Sequence, residues 1–258
     1  VTFSADQALF ISFCIFALGQ FIQSVEWLRT PELWSSSGAF RRGLGTKSFQ
    51  LVLVFRILIA FSVIFLWQNP LSTNTIPLTL LMTALWLCQW AIYFKFQGGP
   101  SGGSDSMQNL LLSAFLVEQL NQSLWGGNKM VTLGCVYFIG LQSLISYFVA
   151  GLSKWKKSEW RSGQALRAFL QITIYKTPKW MNSLCKKDVF VCGLSWILML
   201  FEVGFPIVIF SRPELAERFL ILGLLFHLAN AYWLGINRFL YAWVATYPCV
   251  LFMVKNLH

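Results

Sequence analysis

The chain has 258 residues, of which 56% are hydrophobic and only 12% charged, with a mean hydropathy of +0.60. A soluble domain carries roughly 25% charged residues, so composition excludes an ordinary water-soluble fold and points to an integral membrane protein. The net charge of +10 would suggest nucleic acid in a soluble chain; here it reads as topology, because basic residues gather in cytoplasmic loops, and no nucleic-acid partner is expected.

Eight apolar segments follow in chain order: 6–27, 48–68, 77–96, 107–121, 130–152, 188–210, 216–236 and 239–254. Most approach the roughly 20 residues that a helix needs to cross a bilayer, while the fourth and eighth are short. The runs 49–67 and 130–151 are apolar nearly throughout, without the alternation of barrel strands. A lipid-exposed backbone must satisfy itself, so these segments are helices. The predicted fold class is all-α: a polytopic membrane bundle of about eight transmembrane helices forming a single domain over 1–258. The fourth and eighth segments are expected to be tilted, half-buried or re-entrant. Trp27, Trp67, Trp125, Trp155, Trp160 and Trp180 fall near helix ends, where rings anchor at the membrane interface or pack inward.

Loop charges orient the bundle. The loops after segments one and five, with Lys95 and Arg238, hold fifteen basic residues, against four (Lys129, Arg212, Arg218 and Lys255) on the other side. With eight spans, both termini are predicted outside and the basic loops in the cytoplasm. Loop 153–187 is long enough for its own element. Within 164–175, Leu166, Phe169, Leu170 and Ile174 share one helical face with Arg167 opposite, which predicts an amphipathic helix in the membrane surface. Pro178 ends it or separates it from the next span. The same basic loop would meet anionic lipid or an acidic protein partner; the bilayer itself is the partner that composition implies directly.

Ionisable groups within spans are expensive and informative. They are Glu26, Arg56, Glu118, Glu202 and His227, with Asp105 and Lys154 at span ends. Each has a structural reading: Arg56 could pair with Glu26 or Glu118, and His227 could bond a neighbouring carbonyl. Asp105, after the glycine-rich run 98–104, is well placed to cap the fourth helix. That run does not match a phosphate-binding loop. Six cysteines lack metal-ligand or disulfide spacing, so no metal site is expected. The chain carries no hydrolase signature, and His227 and His258 are its only imidazoles.

Four motifs then appear in order: Phe55-Arg56-Ile57; Gly102-Gly103-Ser104-Asp105; Tyr147-Phe148-Val149-Ala150-Gly151-Leu152-Ser153-Lys154-Trp155 with Trp160 and Gly163; and Phe226-His227 through Asn230, Gly235 and Phe239. Together they resemble the HTTM family, horizontally transferred transmembrane proteins related to vitamin K-dependent gamma-carboxylase. The resemblance spans about 48–254, leaving 1–47 as an extra span and a basic loop. It implies that Lys154 is the base that deprotonates a reduced quinone and that His227 orients substrate. Arg56, Asp105, Glu202 and Asn230 then line the substrate pocket. A lysine acts so only as a free amine, which an apolar site favours. Ser153 stands where the animal enzyme commonly has lysine, and Asp105 falls near where it has histidine. The soluble carboxylase domain is not expected after the last span. Three functions remain open on this reading: modification of a peptide or isoprenoid- or quinone-like substrate; a non-enzymatic subunit binding a partner protein in peptide maturation, immunity or complex assembly; and small-molecule transport.

Overall fold

The computed structural model describes residues 3–33, 44–67, 75–96, 102–171 and 179–258, and its regular elements there are helical. Helix α1 is Ala5–Arg29, α2 Thr46–Trp67, α3 Ile76–Phe96, α4 Gly102–Leu124 and α5 Lys129–Trp155. Two short helices, α6 Ser158–Arg161 and α7 Gln164–Gln171, follow before α8 Lys179–Cys185. Helix α9 Asp188–Gly204 continues into a 3-10 stretch, Phe205–Phe210, and α10 Pro213–Leu234, α11 Asn237–Val244 and α12 Tyr247–Leu257 complete the fold. Residues 98–101, Arg41, Arg42, Ile174, Lys176 and Pro178 lie outside the described residues.

All eight predicted segments coincide with helical elements. Seven of these are long and apolar enough to cross a membrane: α1, α2, α3, α5, α9 with its 3-10 extension, α10, and α11 with α12. The eighth, α4, has the length but too many polar residues, and its position explains why. It packs against α1, α3, α5 and α11, burying Ser104, Asp105, Gln108, Asn109, Glu118, Gln119 and Asn121 inside the bundle. The outer helices turn Leu58, Phe65, Leu80, Val189 and Phe210 outward. Apolar faces of this extent suit hydrocarbon rather than water.

Local sequence sets the helix ends. Ser4 and Gln7 form a reciprocal capping box on α1, which satisfies two free amides. Gly235 ends α10 in the left-handed region at φ 65°, where a side chain would be strained. The last apolar segment is divided between α11 and α12 just before Pro248, which lies in the first turn of α12; proline fits a helix start because it lacks an amide hydrogen.

One expectation needs correction: Asp105 lies inside the first turn of α4 rather than at its cap, because the helix already begins at Gly102. The amphipathic helix expected within 164–175 is α7, which turns Leu166 and Leu170 onto Val191 and Cys185 while Phe169 remains exposed. Trp27 is buried and stacks on Phe96 at 4.0 Å, whereas Trp125 and Trp180 are exposed as interfacial rings would be.

Candidate functional site

Lys154 lies in the last turn of α5, and Glu202 faces it from α9. The ammonium donates to both carboxylate oxygens, each at 2.7 Å. The two helices come this close at Gly151, where a Cβ would sit 2.8 Å from both the Glu202 Cβ and the Val203 backbone nitrogen. Glycine in the motif before the lysine is therefore a packing requirement. Trp160 places its ring 5.4 Å from the Lys154 ammonium, a cation–π distance.

The turn carrying Trp160 is fixed from α9. The Trp160 carbonyl accepts from the Ser195 hydroxyl, and the Arg161 carbonyl accepts from the Trp196 indole at 3.1 Å. Gly163 follows at φ 81°, and a Cβ there would lie 2.7 Å from the Cys192 backbone nitrogen. Arg167 and Asp188 form an ion pair that ties α7 to the start of α9.

Beside the pair lies a cavity of about 210 Å³ bounded by α5, α6, α7, α9, α10 and α11. Its walls are mainly apolar and aromatic, including Leu166, Leu198, Phe226, Phe239 and Trp243, with Lys154, Glu202, His227 and Asn230 among the polar groups, beside Ser146 and Tyr147. This is the ordinary chemistry of a small-molecule pocket: apolar walls with a few orienting polar groups. His227 is buried, and its Nε2 lies 2.6 Å from the Tyr147 hydroxyl. Among the described residues, its Nδ1 has no hydrogen-bond partner. The ring is held against Trp243 at a centroid distance of 5.7 Å, and Trp243 stacks on Phe239.

Four of the six predicted site residues thus line one cavity: Lys154, Glu202, His227 and Asn230. Arg56 and Asp105 do not line it; they belong to a buried polar cluster across α11. Arg56 is wholly buried, and its guanidinium donates to the Gln20 and Gln23 side-chain oxygens of α1 rather than to Glu26 or Glu118. Gln20 in turn donates to Gln108 of α4 at 3.0 Å. Asp105 sits 3.7 Å from Arg238, whose guanidinium covers the Trp27 ring at 4.0 Å. Glu26 accepts from Asn237 at 2.7 Å. These contacts join α1, α2, α4 and α11 through buried polar side chains.

At the opposite end of the bundle, a cavity of about 260 Å³ is bordered by Asp6, Thr75, Glu118 and Gln122. The Glu118 carboxylate already accepts from Gln122 and Thr132, at 2.6 and 3.1 Å. Asn121 holds the α4–α5 connection through the Asn128 backbone. This end is a sewn-up turn. Two further residues connect to His227 without a sequence signal for it: Tyr147 belongs to the third motif, and nothing local marks Tyr247, which meets Tyr147 from 100 residues away.

A family model described as the HTTM domain matches residues 118–256. That range contains the Lys154 cavity and excludes Arg56 and Asp105. The sporulation-delaying protein SdpB of Bacillus subtilis (strain 168) is 29% identical over 104 residues, 39% of this chain and 32% of that protein. The chain's match spans about a third of the length of that curated relative. No solved structure matches. Since the family model covers more than half of the 258 residues, and the helical bundle is the kind of fold the motifs imply, the chain belongs to the HTTM domain family of integral membrane proteins.

Proposed function

We propose that the Lys154 cavity binds a small amphipathic substrate bearing a carbonyl or quinone-type oxygen and moves a proton at it. The observation that carries this reading is that an ammonium–carboxylate pair and His227, whose ring keeps one nitrogen unpartnered among the described residues, line one mostly apolar cavity. Glu202 touches Lys154 and is the acceptor to which the ammonium can pass its proton. The free amine then takes a proton from the bound substrate. His227 orients the substrate oxygen, and the aromatic walls exclude water, which strengthens each polar contact. A reduced quinone, the group the family resemblance implies, would supply an acidic hydroxyl and reducing equivalents. In the orientation set by basic-residue counting, the cavity lies at the cytoplasmic end, beside Lys156, Lys157 and Arg161.

Menadione tests the binding step, because quinones quench indole fluorescence and Trp160 and Trp243 line the cavity. Detergent-purified protein is expected to show saturable quenching that is lost in the Trp160→Phe/Trp243→Phe variant. Ala150→Phe, which places a ring in the cavity, should weaken binding at least about tenfold, a loss of about 1.4 kcal/mol. Linear, non-saturating quenching that is indifferent to Ala150→Phe would overturn the assignment.

A second reading rests on the exposed cations of the loop region, Lys156, Lys157, Arg161, Lys186 and Lys187. They form a basic rim suited to an acidic protein. On that reading the chain is a membrane subunit, and the cavity serves packing alone.

A further inference from the structure

Tyr247 enters the bundle interior because the last span breaks before Pro248. Its hydroxyl lies 2.7 Å from the Tyr147 hydroxyl, which lies 2.6 Å from His227 Nε2. The three groups form a line across α12, α5 and α10. Phe205 stacks on the Tyr147 ring at 3.9 Å, with Phe201 at its edge. Gly223 makes room on the α10 side, since a Cβ there would collide with the Tyr247 hydroxyl. All three side chains are buried, at 2% exposure for Tyr147, 8% for Tyr247 and 3% for His227.

The direction of this chain follows from acid and base strength. A phenol is a stronger acid than a neutral imidazole N–H, and an imidazole nitrogen is a stronger base than a phenol oxygen, so Tyr147 donates to His227 Nε2 rather than the reverse. Each hydroxyl carries one proton; that of Tyr147 is then used, and Tyr247 donates to Tyr147. With Nε2 as acceptor, the neutral ring carries its proton on Nδ1, which has no partner among the described residues.

We infer that Tyr147 and Tyr247 are positioning residues that hold His227 as its Nδ1–H tautomer, so that the cavity selects a ligand offering a hydrogen-bond acceptor, namely a carbonyl or quinone oxygen. The tautomer follows from the structure alone; the ligand preference rests on the cavity being the binding site proposed above. The hydrogen bond made by one ring nitrogen sets the state of the other. Tyr147 and Tyr247 therefore act through His227, not on the substrate.

The test uses 15N-histidine, because the sequence has only His227 and His258. Nitrogen NMR of the full chain in nanodiscs, with His258→Ala for assignment, reads the tautomer directly. The expected spectrum has Nδ1 protonated and Nε2 as the unprotonated acceptor. Tyr147→Phe should convert this single tautomer to a mixture, and Tyr247→Phe should shift it part of the way in the same direction. A wild-type ring protonated on Nε2 would overturn the inference without any variant. So would an unchanged tautomer in folded Tyr147→Phe. Menadione binding is scored separately. Its absence beside an Nδ1–H ring would remove the quinone reading and leave the tautomer assignment standing. Binding beside an Nε2–H ring would do the reverse.

Discussion

Glu202→Ala is expected to destabilise the protein by about 3 kcal/mol, the lower end of the range for breaking a buried ion pair. Glu202 is 6% exposed at its side chain and receives both hydrogen bonds from Lys154. Its loss leaves the ammonium against the aromatic walls of the cavity with no anion opposite. Lys154 is 23% exposed, so its long stem can carry part of the charge toward solvent, which keeps the cost at the low end. The expected readout is a clear drop in the thermal unfolding midpoint in detergent. The Lys154→Met/Glu202→Leu double variant should recover much of it, because removing both charges leaves neither stranded. If the single variant unfolds at the wild-type temperature, the pair is not holding α5 to α9.

A larger loss, about 3–5 kcal/mol, is expected from Arg56→Ala. This substitution removes the largest of the fully buried side chains and opens a void among α1, α2 and α4, and voids of that kind are costly. It also orphans the amide oxygens of Gln20 and Gln23, and unsatisfied buried acceptors add to the cost. Arg56→Lys should restore only part of the stability, since a point ammonium cannot reach two acceptors with a rigid fork. Melting temperature and the monodisperse fraction after extraction both report the effect. Because Arg56 lies across α11 from the cavity, Arg56→Lys should leave menadione affinity at the wild-type value. A selective loss of menadione binding in a stable Arg56→Lys protein would place Arg56 in the site after all.

The spans were legible because length and hydropathy encode them directly. All eight segments reappear as helical elements within a few residues, and α4 carried its own explanation in Gln108, Asn109, Glu118 and Asn121, polar residues that a lipid-facing helix would not keep. The divided last span was foreshadowed by its shortness and by Pro248. The pairing of Lys154 with Glu202 had no local signature. The partners are 48 residues apart, and which face of α9 meets α5 is decided by packing at Gly151. Arg56 shows the same limit from the other side. An intramembrane arginine suggests a carboxylate partner, yet two glutamines on α1 satisfy it, and glutamine gives no charge signal to search for. Tyr247 was invisible for the simplest reason: a tyrosine in an apolar run looks like any other aromatic until its hydroxyl is found against Tyr147.

The central claim is that the space between Lys154 and His227 is a binding cavity rather than a gap in packing. A density map of the chain in lipid nanodiscs with menadione tests it most directly. The account predicts ligand density against the Trp243 and Phe239 rings, with its oxygen within hydrogen-bond distance of His227 Nδ1 and its edge facing Lys154. An interior closed by its own side chains, with Lys154 turned away from Glu202 into solvent, would contradict it.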